Sequence, residues 1–284
     1  MSEQVTYELA AVRWRRSQTV DIVTRLGNQI AVFPLSFLLS CGDNTWEYVL
    51  YVVNLLVDQI RGHDGRIVIG DDPQAIDDAL PVDLQGSPTA GTYYYIQDGI
   101  DREPTLSWGP EYSSRFKTPQ FLPGSSTKSA SSRTTGRPEQ SSFKQRLIGR
   151  DAVCLLTEDD VEKCVAAHIV PQSRPDIYQQ LLDEKHPDMF NTSAGLLLNH
   201  NLHKTFDTLN WSLYRKDETY YVHYFSPRDP ADFQLHGKAI PPDRFSRFYD
   251  SPDPRLVAWH YSQAVKARIR GFSVGRMGTK ASKP

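Results

Sequence analysis

RDAVCLLTEDDVEKCVAAHIVPQS, Arg150 to Ser173, followed after a polar spacer by AGLLLNHNLHKTFD, Ala194 to Asp207, is the stretch whose reading decides the fold. The apolar runs AVCLLT and CVAAHIV read as strands, the second carrying His168 near its end. GLLLN reads as a buried strand, and NHNLHKTFD as a short helix that carries His203 and, four residues on, Asp207. Spacing of i and i+4 puts His203 and Asp207 on one helical face, where both can grip one divalent ion. His168, held at a strand edge, suits a general base because an imidazole titrates near neutral pH. A water-activating imidazole beside a two-ligand metal grip is a minimal kit for metal-dependent hydrolysis of phosphodiesters.

Outward from that stretch, the sequence predicts α+β architecture. TYYVHYF and WSLYRK alternate and flank the turn Asp217–Glu218, which predicts a hairpin; DPRLVAWHYSQAVKARIRG predicts a helix. Asp253 would cap that helix, Pro254 would open it and Gly271 would end it. A short helix is expected around residues 177–182. Toward the start, Thr45–Ile60 has apolar residues at helical spacing, while RIVIG and GTYYYI read as short strands. His63 reads as a surface turn residue.

Composition suggests where to divide the chain. Residues 123–142, PGSSTKSASSRTTGRPEQSS, lack the apolar side chains needed to build a core and read as a flexible linker. The expected organisation is an N-terminal α+β module over 1–122 without a legible role, the linker, a domain over 143–272 and a basic tail over 273–284.

With 284 residues the chain can close real cores. Its net charge of −2 rules out a bulk polycation, so any nucleic-acid contact must come from a local cluster. The cluster near the end contains Lys266, Arg268, Arg270, Arg276, Lys280 and Lys283. Three cysteines without CxxC spacing argue against a disulfide framework and a zinc ribbon, and predict free thiols in a reducing compartment. No signal pattern opens the sequence, and the run Tyr48–Val57 is too short to span a bilayer. The expected location is intracellular, nucleus or cytoplasm; nothing bears on oligomeric state.

The order strand–His–loop–strand–helix–His resembles the ββα-metal finger of HNH endonucleases. AHIVP followed by GLLL-x3-LH-x2-FD is similar to the eukaryotic, chiefly fungal, branch, and RIVIGDDP, GTYYYI, LHGKAI and WHYSQAVKARIRG support it. The resemblance implies an endonuclease acting on DNA, with RNA as a further substrate class. His168 would be the general base, and His203 with Asp207 would hold Mg²⁺ or a similar ion, Mn²⁺ and Zn²⁺ being alternatives. Lys204, Lys266, Arg268 and Arg270 would contact phosphates. Two positions depart from the family: Ala167 stands where many members carry a metal ligand, and Ala194 where they carry the Asn that orients the base. Asn191 and Asn199 lie close enough in sequence to stand in. The alternative reading is a catalytically inactive HNH fold kept as a nucleic-acid or protein-binding module.

Overall fold

A computed structural model describes residues 5–15, 17–60, 65–70, 76, 79–99, 102–112 and 138–275. The first half contains α1 (Ala10–Arg13), β1 (Thr19–Val23), β2 (Gln29–Pro34), α2 (Leu35–Ser40), α3 (Trp46–Leu56), β3 (Gly65–Val68) and β4 (Gly91–Gln97). The strands form one sheet in the order β2-β1-β4-β3, with β1 and β4 parallel and the outer pairs antiparallel. The helix expected over Thr45–Ile60 is α3. Thr45 caps it, its hydroxyl accepting from the Tyr48 N–H at 3.3 Å. It ends earlier than expected because Val57 turns extended and bridges to Leu106. His63 lies outside the described residues.

The second half runs α4 (Pro138–Asp151), β5 (Cys164–His168), α5 (Pro175–Leu182), β6 (Gly195–Asn199), α6 (His200–Asp207), β7 (Trp211–Lys216), β8 (Thr219–Tyr224), α7 (Pro230–Leu235), β9 (Ala239–Ile240) and α8 (Pro254–Val265). β5 and β6 pair antiparallel, from Cys164 opposite Asn199 to His168 opposite Gly195. The expected strand–loop–strand–helix order is therefore present as β5, β6 and α6.

Two expectations are corrected. AVCLLT is not a strand: Ala152 adopts φ 61° directly after α4, and the run continues as turns that bury Cys154, Leu155 and Leu156. Its apolar character serves the core, and a short apolar run does not by itself distinguish a strand from a buried loop. The segment 123–142 also does not end as a linker, because α4 starts at Pro138. Phe143 and Leu147, four residues apart, give that helix a fully buried stripe. Residues 123–137 lie outside the described residues.

Alternation along the β7–β8 hairpin feeds two cores. Trp211, Leu213, Tyr220, Val222 and Tyr224 pack with the finger, α4 and α5, whereas Tyr214, Tyr221 and Phe225 pack with the first sheet and α3. α8 does the same: Leu256 and Val257 enter the finger core, Tyr261, Ala264 and Val265 the other, and Trp259 touches both. Asp253 caps α8 by accepting from the Arg255 N–H, and Pro254 opens it. The last turn widens into a π-helical turn, Lys266–Arg270, before Gly271 ends it at φ 85°.

The described residues up to 112 thus share a core with the β7–β8 hairpin and α8. Polar contacts tie them further. Asp43, almost fully buried, accepts from the Tyr214 hydroxyl at 2.9 Å and Lys216 Nζ at 2.8 Å, and Trp14 Nε1 donates to the Tyr224 carbonyl. The boundary drawn from composition does not coincide with a division between the cores. Introducing a protease site within residues 113–137 and cutting it should leave two fragments that co-elute on size exclusion. Separation into two independently folded pieces under native conditions would contradict the shared core.

Buried histidines belong to the same seam. His223 Nε2 donates to the Cys41 carbonyl at 2.9 Å and His236 Nε2 to the Phe37 carbonyl at 3.0 Å, while His236 Nδ1 accepts from the Tyr224 N–H. The His236 ring is fully used as the neutral tautomer, so a second proton there would oppose an existing donor. Burial pushes His236 down to about 4, His260 to about 3, and His223 well below 6.5. Below about pH 6.5 the unfolded chain binds more protons than the folded one, so their stabilisation is complete above that pH and declines as pH falls toward 4. Denaturant titrations should show unfolding free energy dropping below pH 6 by on the order of 1 kcal/mol per buried histidine per pH unit. Equal stability at about pH 7.5 and pH 5 would refute this.

Candidate functional site

One cleft of about 460 Å³ gathers the three principal candidates. His168, His203 and Asp207 line it together with Tyr112, Gln140, Ala166, Pro171, Gln172 and Ser173. Strand alternation explains the β5 side. Ala166 and His168 are two apart and share the cleft face, whereas Ala167 is fully buried in the finger core. The position before His168 accordingly offers nothing to the cleft.

His168 is held by aromatic walls. Its ring lies 4.7 Å from that of Phe143 on α4 and 5.6 Å from that of Phe190 in the spacer, the latter edge-on. Gly195, directly opposite on β6, is required for this: a side-chain carbon there would run into the tip of the Phe143 ring. Burial lowers the His168 pKa to about 4, a backbone hydrogen bond at Met189 opposes that, and His203 lowers it further. Nε2 is buried without a hydrogen-bond partner among the described residues. An unpaired buried nitrogen costs about 1–3 kcal/mol, so such an atom in a native fold calls for a reason.

On α6, His203 Nε2 stands 3.3 Å from Asp207 Oδ2. The other carboxylate oxygen, Oδ1, accepts from the Tyr112 hydroxyl at 3.1 Å. Burial raises the Asp207 pKa, and both His203 and the tyrosine hydrogen bond counteract it. An imidazole nitrogen and a carboxylate oxygen at this separation suit adjacent positions around one divalent ion, whose ligand distances are about 2.0–2.2 Å. The pair therefore fits a metal in donor type and spacing. Among the described residues no group of three or more His, Cys, Asp or Glu could hold one, so water and phosphate oxygens would complete the shell.

The two asparagines serve the local backbone. Asn191 accepts from the Ser193 N–H and caps a short 3₁₀ turn. Asn199 caps α6 through the Leu202 N–H and donates to Asp159 Oδ2 at 2.7 Å. Neither lines the cleft.

Of the four expected phosphate-contacting residues, Lys204 on α6 is exposed and Lys266 is half-buried, its pKa lowered to about 8 by burial first. Arg268 and Arg270 are corrections. Arg268 donates to the Leu209 and Thr208 carbonyls and to Asn210 Oδ1, and Arg270 to the Phe272, Ser107 and Gly109 carbonyls. Their guanidinium groups tie the turn after α8 to the backbone around it, a structural role for both. The tail beyond residue 275 lies outside the described residues.

Residues 154–214 match the HNH endonuclease family model. That segment is an HNH endonuclease domain. No curated protein and no solved structure matches the chain. The HNH segment contains His168, His203 and Asp207, whereas Tyr112 and Gln140 reach its cleft from outside it. Sequence reasoning missed these two, and Gln172 and Ser173 as well. The latter pair follow AHIVP directly and could have been found by proximity. Tyr112 lies 95 residues before Asp207 and carries no local signal.

The three cysteines are free thiols, all buried, as their spacing predicts. No helix among the described residues is long and apolar enough to cross a membrane.

Removing one aromatic wall should expose His168. In Phe190→Ala, histidine titration followed by NMR should show its pKa rising from about 4 toward 6.5. An unchanged value would mean that desolvation by this wall is not what holds it down.

Proposed function

We propose that the chain is a divalent-metal-dependent endonuclease that hydrolyses DNA phosphodiester bonds. The observation that carries this reading is the convergence of His168, His203 and Asp207 on one cleft within a segment matching the HNH endonuclease family. Phosphodiesters resist hydrolysis because the attacking water and the phosphate are both electron-rich, so a base and a cation are both needed. His168 is neutral across the physiological range, its conjugate acid lying at about 4. Its Nε2, buried and without a partner among the described residues, would accept the proton of an attacking water admitted from the cleft. Oxygen then bonds to phosphorus as the bond to the 3′ oxygen breaks.

His203 and Asp207 would hold the ion, Mg²⁺ or a similar one, with Mn²⁺ and Zn²⁺ as alternatives. When bound, the ion neutralises phosphate charge and stabilises the departing oxygen. Lys204, exposed one residue beyond His203, contributes a phosphate contact without sequence readout.

A plasmid-nicking assay with and without EDTA tests this, with single-stranded DNA and RNA as further substrates. Wild-type protein should nick in divalent metal and stop in chelator. His168→Ala should lose about 10²–10⁴-fold in rate while keeping Mn²⁺ affinity. His203→Ala should weaken Mn²⁺ binding, with partial rescue at high Mn²⁺. Nicking by His168→Ala at the wild-type rate would remove the base from the proposal. Absence of any divalent-dependent cleavage would favour a binding module, the reading motivated by Ala167 and Ala194 at the positions where the family carries a metal ligand and the base-orienting Asn.

A further inference from the structure

We propose that Tyr112 is a positioning residue for the metal grip, fixing Asp207 so that one carboxylate oxygen is committed to the phenol and the other is left for the ion. This rests on the reading of His203 and Asp207 as metal ligands. The Tyr112 hydroxyl donates to Oδ1, while Oδ2 faces His203 Nε2 at 3.3 Å. The Asp207 side chain is 48% exposed and the His203 side chain 31% exposed, so the helix alone does not confine the carboxylate. A grip of two side chains depends on each being oriented in advance, because among the described residues no third protein ligand corrects a misplaced one. Partners behind a metal ligand typically contribute about 10–100-fold in metal affinity.

Tyr112 itself is rigidly placed. Its ring stacks at 6.0 Å on Trp259 and meets His260 edge-on at 5.1 Å, and His260 lies flat on Phe206, the residue before Asp207, at 3.6 Å. The preceding residue is clamped on both sides: the Glu111 N–H donates to Gln263 Oε1, and Arg174 donates to the Glu111 carbonyl. Arg174 is in turn paired through both of its other nitrogens with Asp176 on α5. The phenol therefore arrives at Asp207 on a segment braced by α8 and the finger, from the half of the chain that the HNH match does not cover. That half acts as part of the site.

The test is Mn²⁺ titration of the full-length protein by EPR, alongside thermal unfolding. Tyr112→Phe keeps the ring and removes only the hydroxyl. It should weaken Mn²⁺ affinity by about 10-fold or more with an unchanged unfolding midpoint. Asp207→Ala should weaken affinity as well, and adding Tyr112→Phe to it should cost nothing more. Trp259→Phe, which keeps an aromatic face against the Tyr112 ring and leaves the hydroxyl in place, should bind as wild type. If Asp207→Ala weakens binding and Tyr112→Phe does not, the inference is overturned and the metal reading stands. If Trp259→Phe loses as much as Tyr112→Phe, the effect is packing and the inference is again overturned. If Asp207→Ala and His203→Ala both bind Mn²⁺ like wild type, the metal reading falls and takes this inference with it.

Discussion

A fully buried ion pair between sequence neighbours holds the finger together. Arg150 Nε and Nη2 meet the two oxygens of Asp151 at 2.6 and 2.8 Å, and neither side chain is exposed. Two charges removed from water cost several kcal/mol each unless their remaining hydrogen-bonding capacity is used. Here it is used on backbone that the site depends on. Arg150 donates to the Thr192 and Gly195 carbonyls, and Asp151 accepts from the Leu197 N–H. The end of α4 is thereby pinned to the start of β6, the strand that pairs with His168. Phe143, on the same helix, is brought against the His168 ring as a consequence.

Around that anchor the hairpin and α8 act as a partition with a core on each side. A strand buried on both faces can do this because successive residues point in opposite directions, and α8 does it by presenting different faces along its length. The HNH segment is thus embedded: its outer strand β7 is one wall of the partition, and the wall's other side is covered by α3 and α8. Arg268 and Arg270 show the same economy of cations. A guanidinium with five donors is well suited to collecting carbonyls at a helix end, and there it is spent on the fold.

The chemistry of the cleft follows from unequal solvation. Walls of Phe143 and Phe190 keep His168 uncharged, and a neutral imidazole with an unpaired nitrogen is able to take a proton. His203 and Asp207 sit on a wetter helix face, their side chains 31% and 48% exposed. Under the proposed endonuclease reading, this contrast would set a dry base and a wet metal grip across one cleft, the two tasks that phosphodiester hydrolysis imposes.

Local pattern by itself determined the order β5, β6, α6, the hairpin around Asp217, the cap at Asp253 and the stop at Gly271, because each depends on residues within a few positions of one another. The same locality placed His203 and Asp207 on one face and left the three cysteines as thiols. What the tertiary structure decided are matters of long-range contact. AVCLLT is apolar because it plugs a core, and the same composition would serve a strand. The basic run at the chain end looks like a phosphate-binding surface in sequence, yet two of its arginines are consumed by carbonyls near residues 107 and 208. Tyr112 reaches Asp207 from 95 residues away. A hydrogen bond between residues so far apart leaves no periodicity or spacing in the chain, since its energy is set by where the fold brings two atoms and not by what lies beside either of them.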